Sequence, residues 1–193
     1  MTGSGTAEDP YIISDVDDLQ AIEATDLDAY YELSNDIDAL ETSTWNAGAG
    51  FDPVGTGGTE FTGSFNGGGY TISNLFINRP AESAIGLFGA TYTAVIQNVT
   101  LTDVNITGDY YVGGIVGNAQ DTLISDCYVA GSVVATDSIG KIGGIVGWPG
   151  GITIISRCGT RGIINATAPG DCVGGIAGDN YGDDVLTITN CYS

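Results

Sequence analysis

The sequence predicts an all-β fold: a β-solenoid (parallel β-helix) of stacked strands, closed at its N-terminal end by one short helix. Three observations carry that reading. A glycine-bracketed apolar string recurs as GLFG from Gly86, as GGIVG ending at Gly117 and again at Gly147, and as GGIAG ending at Gly178. A second motif keeps step with it, reading ISNLFI from Ile72, IQNVTL from Ile96, ISDCYV from Ile124, ISRCGT from Ile155 and ITNCYS from Ile188. Both units are rich in Val, Ile, Thr and Tyr and punctuated by Gly, Asn and Asp, the composition of short strands joined by turns. One such unit cannot bury its own apolar face. Stacking successive units at about 4.8 Å per layer buries a continuous core and aligns equivalent side chains in ladders.

The elements follow in chain order. The stretch SDVDDLQAIEA from Ser14 has serine as N-cap, acidic residues in its first turn, and Val16, Leu19 and Ile22 on one face. It predicts a helix of about ten residues that covers the open end of the solenoid. Residues 1–60 form this cap and the first irregular coils, and residues 61–193 form the repeat rungs, in a single domain 1–193. GTGGT and FNGGGY read as turns, because neither is followed by a helix and a Lys-Ser/Thr pair. In the second motif Ile72, Ile96, Ile124, Ile155 and Ile188 point inward. Asn74, Asn98, Asp126 and Asn190 take the turn, with Arg157 breaking the pattern, and Leu75, Val99, Cys127, Cys158 and Cys191 are the next inward residues. The glycines around each buried step need positive φ or close backbone approach. NCYS leaves the rung from Thr187 unfinished, as a chain boundary or an edge awaiting another chain.

Composition bounds the function. Of 193 residues 42% are apolar, which excludes wholesale disorder. Four basic residues (Arg79, Lys141, Arg157, Arg161) stand against 24 acidic ones, and a net charge of −20 excludes nucleic acid and anionic membranes as partners. Such a charge suits a protein from very salty surroundings, where dense salt screens self-repulsion, or an acidic exported protein whose carboxylates collect divalent cations. No stretch approaches the roughly 20 apolar residues of a membrane span. MTGSGTAEDP is not a signal peptide, so export information precedes Met1 or the protein leaves the cell another way, for example in a virus particle.

Four cysteines supply the first candidate sites. Neighbours in one column of a stack lie about 4.8 Å apart, within the approximate 4.4–6.8 Å window of a disulfide. Cys127–Cys158 or Cys158–Cys191 could therefore bridge, but three cysteines cannot all pair, and the alternative is small buried hydrophobes. Cys172 aligns with Tyr111 and Lys141, where alternation points outward, and is the candidate for an interchain disulfide or a plain surface thiol. Histidine is absent, which removes Ser-His, Cys-His and imidazole-metal chemistry. Carboxylate pairs could cleave glycosidic bonds, but Asp103, Asp109, Asp126, Asp137, Asp183 and Asp184 fall on turns without repeated pairing. Lyase chemistry on acidic polysaccharides wants a base beside calcium, and Lys141 and Arg161 are too sparse for it. No catalytic residue and no cofactor are expected. Weak calcium candidates are Asp15, Asp17 and Asp18 in SDVDD and Asp36 and Asp38 in NDID, which helix capping and turn formation explain as well. Asn98, Asn105 and Asn165 open glycosylation sequons.

Together GTAEDPYIISDVDDLQAIEA, YYELSNDIDA, Trp45, FDPVG, FTGSFNGGGYTISNLFI, IGLFG and the GGIVG units resemble surface proteins with GLUG-type repeats, over nearly the whole chain. The resemblance implies a right-handed parallel β-helix and an extracellular scaffold or adhesin rather than an enzyme, and the acidic composition points to archaea. The expectation is a non-enzymatic structural or adhesive building block of a cell-surface layer, sheath or adhesin. It would sit outside the cell or in its envelope and self-associate or bind a surface glycan or protein. The alternative is a tail or receptor-binding protein in the virion of a halophilic archaeal virus, ahead of a polysaccharide-active β-helix.

Overall fold

The structure is a computed structural model and describes residues 1–136, 140–167, 172–180 and 184–193. Among these residues the chain coils through four β-faces, and each turn of the coil adds parallel strands to the turn before it. The first face is a seven-stranded sheet in chain order, from Tyr11–Ile13 through Tyr30–Leu33, Ser64–Asn66, Val95–Gln97, Leu123–Ser125 and Ile152–Ser156 to Val185–Thr189. The second stacks Ile37–Asp38, Thr71–Ser73, Thr100–Gly108, Tyr128–Ala135 and Gly159–Ala166, with Phe76–Asn78 also paired to Thr100–Gly108. The third holds Tyr111–Gly113, Lys141–Gly143 and Cys172–Gly174, and the fourth Phe88–Tyr92, Val116–Gln120 and Val146–Gly150. The parallel β-solenoid expected from the repeats is the fold.

Register turns the repeat into ladders. Tyr11, Tyr31, Phe65, Ile96, Ile124, Ile155 and Ile188 form one column inside the first face. The core is aromatic near its N-terminal end, where the rings of Phe61 and Phe88 lie 4.9 Å apart and those of Phe65 and Phe88 5.4 Å apart. It continues as an aliphatic stack. Each large side chain taken from water there contributes about 1.5–3 kcal/mol. A buried polar ladder runs alongside: the hydroxyls of Thr91 and Thr122 are 2.9 Å apart, and that of Thr153 donates to the Gly150 carbonyl at 2.7 Å.

Three expectations need correction or choice. Ile72 pairs with Leu101, not Ile96, and Leu75 lies beside Val104, whose following residue Asn105 donates its N–H to the Leu75 carbonyl. The string I-x-N-L marks a corner residue in the left-handed region, and two different corners of the coil carry strings of this kind. Asn98, Asp126, Arg157 and Asn190 (φ 57°, 57°, 53° and 55°) occupy one, while Asn74 and Asp103 (φ 59° and 54°) occupy the other. At the first corner the earlier rung uses Gly67, whose N–H donates to Gln97 as that of Asn98 does to Ser125. The helix, Val16–Thr25, buries Val16, Leu19 and Ile22 as expected. Its N-cap, however, is Asp15, whose carboxylate accepts the Asp18 N–H at 2.8 Å. Ser14 donates its N–H and hydroxyl to the Asp18 carboxylate instead, at 3.0 and 2.8 Å. The glycines of GGIVG serve close approach rather than positive φ: a Cβ on Gly147 would stand 2.5 Å from the Val112 nitrogen and 2.7 Å from the Gly117 carbonyl oxygen.

Candidate functional site

The cysteine column is formed as the alternation requires, because a corner residue in the left-handed region turns the next side chain inward. Cys127 and Cys158 are 1% and 0% exposed, and all four thiols are free. The thiols of Cys127, Cys158 and Cys191 donate to the carbonyls of Ser125, Ser156 and Thr189 at 3.2, 3.3 and 3.3 Å. The contact between the Cys127 and Cys158 thiols, and then burial, push the Cys127 thiol well above the usual range, while the same contact holds Cys158 below it. Burial raises Cys191. Cys172 stands apart and exposed, in register with Lys141 and, through it, Tyr111. Its sulfur lies 3.7 Å from an Asp179 carboxylate oxygen.

The acidic candidates are held by local structure. Asp15 and Asp18 cap the helix, and Asp17 is in its first turn. Asp36 accepts the Thr71 N–H at 2.8 Å, and Asp38 accepts from the Leu40 N–H and the Asn74 amide at 3.1 and 2.9 Å. Asp126 and Arg157 form a paired contact with both distances 2.6 Å, and the Arg157 guanidinium holds the Asp126 carboxyl below the usual carboxylate range. That pair accounts for an arginine at a left-handed corner. Asp103 is at the second-face corner, and Asp109 donates its N–H to the Glu82 carbonyl. Asp184 precedes the last strand, while Asp137 and Asp183 lie outside the described residues. Among the described residues no group of three or more Cys, Asp or Glu side chains is placed to hold a metal ion. Asn105 and Asn165 are exposed on the second face, whereas Asn98 is half-buried and donates its amide to Asn66 at 2.9 Å.

Three surface features were not read from the sequence. Beyond the rung of Tyr30 and Glu32, the outward side of the first face carries Ser64 and Asn66, Val95 and Gln97, Leu123 and Ser125, Ile154 and Ser156, then Thr187 and Thr189, with no charged residue among them. Val95, Leu123 and Ile154 are stacked there, and Leu123 and Ile154 are 39% and 38% exposed. An outward corner of the third and fourth faces stacks Tyr111 on Trp148 with ring centroids 5.1 Å apart, and the Lys141 ammonium lies 5.8 Å from the Trp148 ring and 3.3 Å from Asp179. A shallow groove of about 600 Å³ runs between the helix and the turn at Trp45, lined by Asp17, Gln20, Glu23, Trp45, Asn46 and Asp52. Periodicity identifies columns, and these features depend on which outward side chains become neighbours across a corner or against the cap.

A GLUG motif matches residues 108–134, which contain one GGIVG unit and its following second motif. The chain is 44% identical over 121 residues to Halomucin of Haloquadratum walsbyi, covering 60% of this chain and 1% of that protein. It is 34% identical over 125 residues to a candidate Gly-rich membrane protein of Evansella cellulosilytica, covering 60% of this chain and 14% of that one. The chain thus spans a small part of the curated relatives it matches. A crystal structure of a candidate immunoglobulin A1 protease from Bacteroides ovatus superposes with a TM-score of 0.72 at 24% identity, over 98% of this chain and 67% of that one, and shares the fold. The resemblance to GLUG-repeat surface proteins read from the sequence is borne out by these matches.

Proposed function

We propose that this GLUG-motif solenoid is a non-enzymatic extracellular module of a cell surface, structural or adhesive, that associates with further copies through the outward side of its first face. The observation that carries the reading is the composition of that side. In a chain of net charge −20, it is a broad surface of Ser, Thr, Asn and Gln beside an apolar column of Val95, Leu123 and Ile154. Two such chains repel wherever their carboxylates face each other, so a neutral apolar strip is where copies can meet at least electrostatic cost. Salt reinforces this, because the screening length falls to about 3 Å at 1 M. The likeness to Halomucin and to a Gly-rich membrane protein supports a place at the cell surface.

The test is sedimentation of the purified chain over a wide concentration range in concentrated salt, with and without reductant. Association is expected, persisting under reductant and lost in a Leu123→Lys/Ile154→Lys double variant that keeps its β-sheet circular dichroism. A wild-type chain that stays monomeric throughout removes the self-associating part of the reading. Multimers that collapse on reduction would place the contact at Cys172 instead.

A further inference from the structure

The groove at the cap holds an aromatic wall and a row of three carboxylates, two of which also make contacts within the fold. Half of the 24 acidic residues precede Thr42, and the first basic residue is Arg79, so the cap end carries an intense negative potential. The amide groups in the groove are already engaged. Gln20 donates to the Asp52 carbonyl at 3.0 Å and accepts the Asp52 N–H at 2.8 Å, tying the helix to the coil beneath. Asn46 donates to the Gly50 carbonyl at 2.8 Å. The charged lining is carboxylate throughout: Asp17 on the exposed helix surface, Glu23 with one oxygen accepting the Gly55 N–H, and Asp52 with one oxygen on Arg79 at 3.1 Å. Trp45 closes the side, with its inner edge packed on the core and the ring half-exposed.

We propose that this groove binds an organic cation with an ammonium or guanidinium head, its charge shared by Asp17, Glu23 and Asp52 and its body laid against Trp45. A wall of acceptors suits a ligand head that only donates, which these two groups are and a sugar hydroxyl is not. An aromatic face adds attraction for the same head. The carboxylates are not clustered as a metal site among the described residues, whereas about 600 Å³ is within the range of small-molecule pockets. The ligand head could belong to a free amine or to a Lys or Arg side chain of a peptide.

Trp45 emission reads the site in a Trp148→Phe background, titrated with propylguanidinium chloride, propylammonium chloride, neutral propylurea, calcium chloride and maltose at constant ionic strength. Saturable change with both cations, at least tenfold weaker with propylurea and absent with calcium and maltose, is expected. Asp17→Asn, which leaves the Gln20, Glu23 and Arg79 contacts in place, is expected to weaken binding at least threefold, and Asp17→Asn/Asp52→Asn further. A Lys-containing peptide that competes identifies a protein side chain as the source; failure to compete while propylammonium binds identifies a free amine. Equal response to propylurea, response to maltose, or unchanged affinity in folded Asp17→Asn overturns the proposal. The readout is independent of self-association, so its failure leaves the first-face reading intact.

Discussion

Replacing Phe88 by alanine tests whether the N-terminal rungs are closed by packed aromatic rings. Phe88 is 0% exposed, 4.9 Å from the Phe61 ring and 5.4 Å from that of Phe65, and its backbone is in register with Val116 on one side and Val54 on the other. Emptying a buried phenylalanine costs about 3–5 kcal/mol. Loss of two ring contacts, worth about 0.5–1.5 kcal/mol each beyond area, places this variant in the upper half, at about 4–5 kcal/mol. For a chain of this size each kcal/mol shifts the melting temperature by about 2–4 °C, so a fall of roughly 10–15 °C is expected. Tyr92→Ala is the control: Tyr92 ends the same strand but is 46% exposed, and its loss is expected to stay within about 0.5 kcal/mol. Thermal unfolding followed by circular dichroism, with all variants at one high salt concentration, gives both values. A loss below about 1 kcal/mol for Phe88→Ala, or one equal to that of Tyr92→Ala, would refute the packed ladder.

Other outcomes follow from individual contacts. Burial pushes Tyr31 up to about 12 while its hydroxyl donates to the Asp26 carbonyl at 2.6 Å. The folded state therefore keeps a proton that the unfolded state loses near pH 10, and stability should fall by roughly 2–3 kcal/mol between pH 10 and 12, a fall that Tyr31→Phe removes in melts across that window. Asp126 is depressed by Arg157, so its stabilising effect is present above the ordinary carboxylate range and lost as pH falls through its lowered value. Arg157→Gln should move the Asp126 carboxyl resonance to titrate at higher pH in NMR spectra. Under native conditions a maleimide should label Cys172 first and leave Cys127 and Cys158 unmodified until denaturant is added, read by peptide mass mapping; early labelling of Cys127 would contradict its burial.

The inward half of this molecule was legible because stacking forces equivalent residues into register. GLFG and the GGIVG and GGIAG units align as Leu87, Ile115, Ile145 and Ile176: the Ile115 N–H donates to the Ile145 carbonyl and that of Ile145 to Ile176, while the Leu87 N–H donates to Gly114. The same logic placed Cys127, Cys158 and Cys191 in one column and Cys172 outward. It failed at Ile72 and Leu75, where two corners of one coil use the same left-handed residue and write nearly the same string. It also moved the N-cap by one residue, because Ser14 and Asp15 both suit the position and the carboxylate of Asp15 wins the Asp18 N–H. The groove had no linear signature: Asp17 and Gln20 on the helix meet Trp45 and Asp52 through a turn in which Asn46 and Ala47 take φ of 51° and 56°.

The stacking that makes the fold legible also restricts where charge can go. Like charges in one outward column would sit about 4.8 Å apart in successive rungs and repel. A chain with 24 acidic residues must therefore place many of them at corners, in turns and in the cap, and where Asp126 does fall in a stacked position Arg157 faces it at 2.6 Å. Absence of charge on the first face beyond Glu32 thus follows partly from the architecture. Its apolar column does not: threonine at Leu123 and Ile154 would also suit a strand, as Thr187 does in the next rung. Leu123 and Ile154 stack on one another yet leave 39% and 38% of their surface open to water, and it is this remaining apolar surface that a contact with another copy would cover.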